Sequence, residues 1–171
     1  MRRDLVPVAV LALLAGGCGS AAQAPPSTSV ADASRVDMCT ILTDAELTGL
    51  GAELNRRKPV NRLGLVGCHW GGTPFVLGLE RDKETVASYK ARRHDPSFTS
   101  FGDNTVNGRA GARLSVDRAR DDCTQLIDGG PVSLTVSVSP AGLYTGPQID
   151  SCAEALRIAQ MIEPRLPKAG S

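Results

Sequence analysis

Residues 63–80, LGLVGCHWGGTPFVLGLE, place two apolar runs on either side of Gly71-Gly72-Thr73-Pro74. Glycine supplies turn conformations that other residues resist, and proline cannot sit in a central ladder. The connection therefore reads as a turn and its flanks as the paired strands of a β-hairpin. Side chains alternate along a strand, so Cys68 and Trp70 share one face, expected to point inward, while His69 points the other way. The adjacent cysteine, histidine and tryptophan thus read as a cross-link with a packing residue beside it.

Upstream, MCTILTDAELTGLG (38–51) begins a short helix. Thr43 and Glu46 form a T-x-x-E capping box, with Leu42 and Leu47 placed for a hydrophobic staple and Gly49 and Gly51 suited to the stop. GAELNRRKPVNRL (51–63) reads as a polar loop. Downstream, RDKETVASYKARRHD (81–95) is expected to be a helix with a basic C-terminal end. NTVNGRAGARLSVD is a weakly specified strand or hairpin carrying Gly108 and Gly111, and DDCTQLID is a short strand. After Gly129-Gly130-Pro131, VSLTVSVS sets Val132, Leu134, Val136 and Val138 on one face. SCAEALRIAQMIE is the clearest helix. Ser151 and Glu154 suggest a second capping box, and Cys152, Ala155, Leu156, Ala159 and Ile162 an apolar stripe. Strands joined by short turns favour an α+β domain: a mainly antiparallel sheet packed with N-terminal, middle and C-terminal helices.

The chain starts with Arg2 and Arg3, followed by an unbroken 13-residue apolar run, residues 5–17. A membrane-spanning helix needs roughly 20 residues, so the run has the length of a signal-peptide core, and residues 1–17 read as a signal peptide. Whether the arginine pair directs Sec or Tat export stays open. Ala15-Gly16-Gly17-Cys18 resembles a bacterial lipobox, with Cys18 the lipidated residue; cleavage after Ala22-Gln23-Ala24 is the rival. Residues 18–34 are small, polar and proline-containing and read as a lipidated flexible tether. Residues 35–168 are then a single domain.

Cleavage before Cys18 removes Arg2, Arg3 and Asp4 from 19 basic and 18 acidic residues, leaving 17 of each. A neutral chain offers no electrostatic case for nucleic acid. Once Cys18 is assigned to lipid, Cys39, Cys68, Cys123 and Cys152 remain, an even number suited to two disulfides in an oxidising compartment. Three pairings are open. The nearest-neighbour one, Cys39–Cys68 with Cys123–Cys152, is the expectation; it closes two equal loops, each worth about 3–4 kcal/mol in the chain-entropy model.

Several segments occur in a fixed order: Cys39-Thr40-Ile41-Leu42-Thr43-Asp44-Ala45-Glu46-Leu47, then Cys68-x-Trp70, Asp122-Cys123, Asp150-x-Cys152-x-x-Ala155 and Leu166-Pro167. In these the chain resembles an uncharacterised family of lipoproteins from high-GC Gram-positive (actinobacterial) bacteria. The resemblance spans nearly the whole mature domain. It implies the envelope location, the staples and the α+β fold, and it brings no catalytic residue, cofactor or ligand with it.

The sequence is poor in chemistry. Zinc sites commonly use closely spaced cysteines and histidines, whereas here no two cysteines are close and only His69 and His94 are present. The absence of C-x-x-C likewise argues against thioredoxin-like chemistry. Asp121 and Asp122 would diverge on a strand, and no G-x-S-x-G elbow occurs. Neither a catalytic residue, a metal site nor a cofactor is therefore expected. The cations Arg56, Arg57, Lys58, Arg62, Lys90, Arg92 and Arg93 could form a patch for an acidic envelope polymer or lipid headgroup, against the plainer reading of solvated, balanced charge. Tyr144, Phe98 and Phe101 could line a pocket or cover the core edge. The candidate binding residues are Arg56, Arg57, Arg92, Arg93 and Tyr144.

The expected protein is a monomeric, non-enzymatic binding or accessory lipoprotein on the outer face of the cytoplasmic membrane. Its expected partners are the membrane, through Cys18, and an envelope protein or small ligand. A sensor-like ligand-binding domain is the alternative and a hydrolase a more distant third. Non-reducing peptide mapping is expected to recover the Cys39–Cys68 and Cys123–Cys152 peptides; a free thiol at Cys68 or a Cys39–Cys123 link would overturn the pairing.

Overall fold

A computed structural model of the chain describes residues 31–116, 121–142 and 144–168. The leader, Cys18 and most of the expected tether lie outside the described residues. In chain order the elements are α1 (Asp44–Gly49), β1 (Ala52–Arg62), β2 (Leu65–Gly72), β3 (Phe75–Asp82), α2 (Val86–Ala91), β4 (Ser100–Val106), β5 (Arg109–Ser115), β6 (Cys123–Asp128), β7 (Ser133–Pro140) and α3 (Ser151–Ile162). A short 3-10 turn, Glu163–Arg165, follows α3.

The strands form one antiparallel sheet in the order β1-β2-β3-β7-β6-β5-β4. It consists of two meanders, β1-β2-β3 and β4-β5-β6-β7, joined where β3 lies against β7 from Phe75↔Pro140 to Asp82↔Ser133. The 63–80 hairpin forms as expected, with Trp70 opposite Leu77 and Cys68 opposite Leu79. All four side chains are buried in one cluster, together with Leu134, Val136 and Val138 of β7 and Ala155, Ile158, Ala159 and Ile162 of α3. The Trp70 indole N–H meets no acceptor among the described residues.

Both disulfides have the nearest-neighbour pairing. Cys39–Cys68 ties the segment before α1 to β2, and Cys123–Cys152 ties β6 to α3, with Cα–Cα distances of 5.1 and 5.0 Å. Each meander thus carries its own cross-link. A second, smaller cluster lies on the opposite face of the sheet, where Val86 of α2 meets Ala112, Leu114 and Leu126, with Tyr89, Phe98 and Phe101 packed against it.

Several local expectations are corrected. Residues 52–62 are a strand, not a polar loop. β1 is an edge strand with almost every side chain exposed, so apolar alternation never marks it; its backbone pairing with β2 holds it, and Pro59 is tolerated because edges have no second neighbour. Arg81 and Asp82 finish β3, and helix α2 is confined to Val86–Ala91 behind a Thr85 cap that accepts from the Ser88 N–H. The α3 cap is Asp150, not Ser151: its carboxylate accepts from the N–H groups of Cys152 and Ala153, both at 3.0 Å. Glu154 instead pairs with Arg157. The buried stripe of α3 runs through Ile158 where the sequence suggested Leu156 and Cys152, which are half-buried. Ala33, inside the expected tether, is wholly buried and its N–H donates to Gly129 O, so the packed domain starts before residue 35.

One end of the sheet collects the turns at Leu63-Gly64, Asn107-Gly108 and Gly129–Val132. Ala33 reaches it through Gly129, and Pro167 through Arg109. The opposite end holds the Thr73-Pro74 turn, Val116, the end of β7 and the N-terminus of α3.

The capping box at α1 is present: Thr43 N–H donates to Glu46 Oε2 at 2.8 Å, and Glu46 N–H to Thr43 Oγ1 at 3.3 Å. Arg165, 119 residues away, also grips the Glu46 carboxylate, tying the two ends of the domain together. The Arg165 hydrogen bond, followed by those from the Thr43 N–H and hydroxyl, holds the Glu46 carboxyl down to about 2, from an ordinary 4.5. A depressed folded-state value stabilises fully above about pH 4.5, and that contribution is lost as the pH falls through about 2. Glu46→Gln is therefore expected to lower the thermal midpoint at pH 7, with the gap to wild type closing by pH 2, as measured by circular dichroism.

Candidate functional site

Helix α3 and the N-terminal segment pack on one face of the sheet, and α2 packs on the other face over β5 and β6, with Tyr89 reaching Asp82 at the end of β3. Over β1, β2, β3 and β7 that second face carries no helix. Register sets Lys58, His69, Gly78, Ser137 and Thr124 side by side across it. The neighbouring row runs Val60, Gly67, Glu80, Thr135. These are the positions opposite Cys68, Leu79 and Val136, so the alternation that fills the core leaves small and polar groups outside it.

His69 lies across Gly78, where an added Cβ would come within 2.9 Å of Nε2. This placement brings Nε2 to 3.0 Å from Oε1 of Glu80, a carboxylate only 5% exposed. An ionised carboxylate only accepts, so the Nε2–H donates. The Thr135 hydroxyl reaches the other Glu80 oxygen at 3.5 Å. The Ser137 hydroxyl bonds Thr124 Oγ1 at 3.0 Å rather than His69, so no nucleophile–base pair forms here.

Next to His69 the face deepens into a groove. Two adjoining clefts of about 510 and 430 Å3 share Arg56 and Val76. Tyr144 and the 141–146 loop wall one, and Arg57, Lys58 and His69 wall the other. The Arg56 guanidinium lies over Gly71, where a Cβ would sit 2.6 Å from Nε. Its partner Glu53, at 3.1 Å, is exposed like Arg56, and such surface pairs are worth little. Arg57 and Lys58 make no ion pair among the described residues. The groove is therefore a cationic trough with a glycine floor, suited to an anionic group.

Of the candidate residues, Arg56, Arg57 and Tyr144 come together here; Arg92 and Arg93 do not. Arg92 pairs with Glu84 and stacks 4.6 Å over the Tyr89 ring, and Arg93 pairs with Asp103 at 3.3 Å. Lys90 also pairs with Asp103, so all three cations at this end of α2 are engaged by Glu84 and Asp103. Burial, and then the hydrogen bond from its hydroxyl to Asp82, push Tyr89 above the usual tyrosine range and keep it a donor. Phe98 and Phe101 belong to the cluster under α2. The sequence named Lys58 only as one of seven cations of a possible patch and gave His69 no part in binding, because only the β1–β2 register places the two side by side.

Asp121 and Asp122 precede β6 instead of lying on it, and both line a cleft of about 710 Å3 at the N-terminus of α3. Asp121 accepts from Gln148, and Asp150 is occupied as the helix cap. No group of three or more His, Cys, Asp or Glu able to hold a metal occurs among the described residues. No helix among them is long and apolar enough to cross a membrane.

Residues 13–165 match the family model described as "Protein of unknown function (DUF3558)", and the chain belongs to that family. No curated protein and no solved structure matches it.

His69→Ala would leave the Glu80 carboxylate with only the distant Thr135 hydroxyl. A loss of about 1–3 kcal/mol is expected from stranding such a group, with much of it recovered in His69→Ala/Glu80→Gln. Urea unfolding at pH 7 checks both; a loss below about 0.5 kcal/mol would mean that solvent already screens the pair.

Proposed function

We propose that this DUF3558 chain is an exported binding module of the cell envelope. A lipid on Cys18 anchors it to the outer face of the cytoplasmic membrane, and it acts by holding an anionic group of a small ligand or partner protein, not by catalysis. The observation that carries the reading is the trough lined by Arg56, Arg57, Lys58 and His69, in which Arg57 and Lys58 make no ion pair among the described residues. Glycine at 71 and 78 lets the guanidinium and imidazole lie flat on the sheet, which leaves the space above them for a ligand.

Supporting the location, the apolar run of residues 5–17 ends at a lipobox-like Cys18, the one cysteine left outside the two disulfides. Disulfides persist in oxidising compartments. Supporting binding over catalysis, the hydroxyl nearest the imidazole row is engaged by Thr124. An exposed arginine pair and a lysine favour oxygen anions, since guanidinium offers a planar fork of donors and ammonium a point charge.

Two measurements test the proposal. Mass spectrometry of the membrane-extracted chain is expected to show a diacylglyceryl group on Cys18, and Cys18→Ser to release the protein into the medium; an unmodified, secreted wild-type chain would overturn the anchor. Calorimetric titration with pyrophosphate is expected to show binding that weakens at least tenfold in Arg57→Glu/Lys58→Glu and in Gly71→Val. Binding unchanged in both variants, or none by the wild type, would overturn the groove as the site.

A further inference from the structure

The turn joining β1 to β2 holds a side chain that neither its backbone nor its surroundings favour. Leu63 has φ +53 and is 90% exposed. The left-handed region suits glycine and asparagine, and a bulky residue there is strained. A leucine so placed also gains nothing from burial within the domain. Val66, at the start of β2, is exposed as well, so two of the four exposed large apolar side chains among the described residues lie at or next to this turn, and Leu54, farther along β1, is a third on the same hairpin.

The tip is cationic. Arg62 is exposed beside Leu63, and the Lys83 methylenes lie against Gly64 so closely that a Cβ there would meet Cδ at 2.5 Å. The Lys83 N–H donates to Gly64 O at 3.1 Å, fixing the lysine to the turn. Neither cation has an ion-pair partner among the described residues. The neighbouring carboxylates are committed elsewhere: Asp82 is buried and accepts from Tyr89 and from the Glu84 N–H, and Glu84 pairs with Arg92.

Position supplies the third observation. The tip lies at the end of the sheet where the described chain begins, while the Thr73-Pro74 side of the groove lies at the other end. Twelve residues separate Cys18 from Ala31, a span of at most about 45 Å when fully extended. A chain held at Cys18 therefore keeps this end within about 45 Å of the bilayer, and it is the end that the tether enters.

We propose that the Arg62-Leu63-Gly64 tip, together with Lys83, is a second membrane contact, docking on the anionic headgroup surface of the bilayer. Leu63 enters the boundary between headgroups and acyl chains, and Arg62 and Lys83 take lipid phosphates. The contact sets the orientation of the domain and turns the Thr73-Pro74 side of the groove away from the membrane. It rests on the anchored reading only for its placement near the bilayer, so its test supplies the anchor chemically.

Residues 31–168 close the fold, so the chain from Cys18 onward is suitable. Cys18, its one unpaired thiol, is coupled to a maleimide-headgroup lipid in vesicles of phosphatidylglycerol and phosphatidylcholine with brominated acyl chains. Tryptophan is placed at the tip by Leu63→Trp, or at the opposite end by Val116→Trp, where Val116 is 55% exposed. Trp70 is buried and common to both variants. Fluorescence of Leu63→Trp is expected to shift to the blue and to be quenched at least threefold more than that of Val116→Trp. Adding Arg62→Glu and Lys83→Glu is expected to halve that quenching at least, and near-ultraviolet circular dichroism confirms that each variant is folded. Equal quenching at the two positions would overturn the proposal. So would protection of position 63 that appears only as the density of chains rises, which would make a second copy the partner. Natural acylation is read separately from the mass of the exported chain, so failure of the anchor and failure of the tip are distinguishable.

Discussion

The ladder between β3 and β7 is the contact on which the rest depends. It pairs eight residues with eight, from Phe75↔Pro140 to Asp82↔Ser133, between segments 51 to 65 residues apart in the chain. Closing a loop of that length costs entropy before any pairing compensates for it. What recovers the cost is the floor the ladder creates: Leu77 and Leu79 join Leu134, Val136 and Val138 in one apolar surface for α3 and the N-terminal segment. The same register aligns Gly78 and Glu80 with Ser137 and Thr135 on the other face. A slip of one residue would exchange the two faces and put Glu80 into the core.

The parts of the fold legible in the sequence are those fixed by neighbours along the chain. The 63–80 hairpin announces itself by apolar runs around a glycine-proline turn, β7 by alternation, and α1 by its capping box. The cysteine pairing agreed with arithmetic alone. What was hidden depends on partners distant in sequence. β1 has no apolar face because both of its faces meet water, and only its ladder with β2 makes it a strand. Asp150 displaces Ser151 as the α3 cap because its carboxylate reaches two N–H groups at once, leaving the Ser151 hydroxyl buried and unpaired.

The candidate site was legible by halves, for the same reason. A run of basic residues at 56–58 stands out in any reading, but the sequence does not show that β1 brings Lys58 beside His69 and Arg56 into a cleft with Ala141, Gly142 and Tyr144. Nor does it show that Arg92 and Arg93 spend their charge on Glu84 and Asp103, under which the Tyr89–Phe98–Phe101 cluster is packed. Similar residues therefore have different availability. On β1 the carboxylate paired with a cation among the described residues is the weakly held Glu53, whereas at α2 cation, carboxylate and aromatic ring complete one another.

The two disulfides turn the folded chain into a pair of covalent rings, residues 39–68 and 123–152, joined by a single strap, 69–122. A peptide bond cut inside either ring leaves the molecule in one piece; only a cut in the strap parts the rings from each other. The exposed β1 edge, the Leu63 tip and the 141–147 loop all fall inside rings. Outside a cell, where peptidases find such segments first, these three exposed segments can be nicked without being lost, whereas His69, Gly71, Val76 and Lys83 lie on the strap and depend on its staying whole.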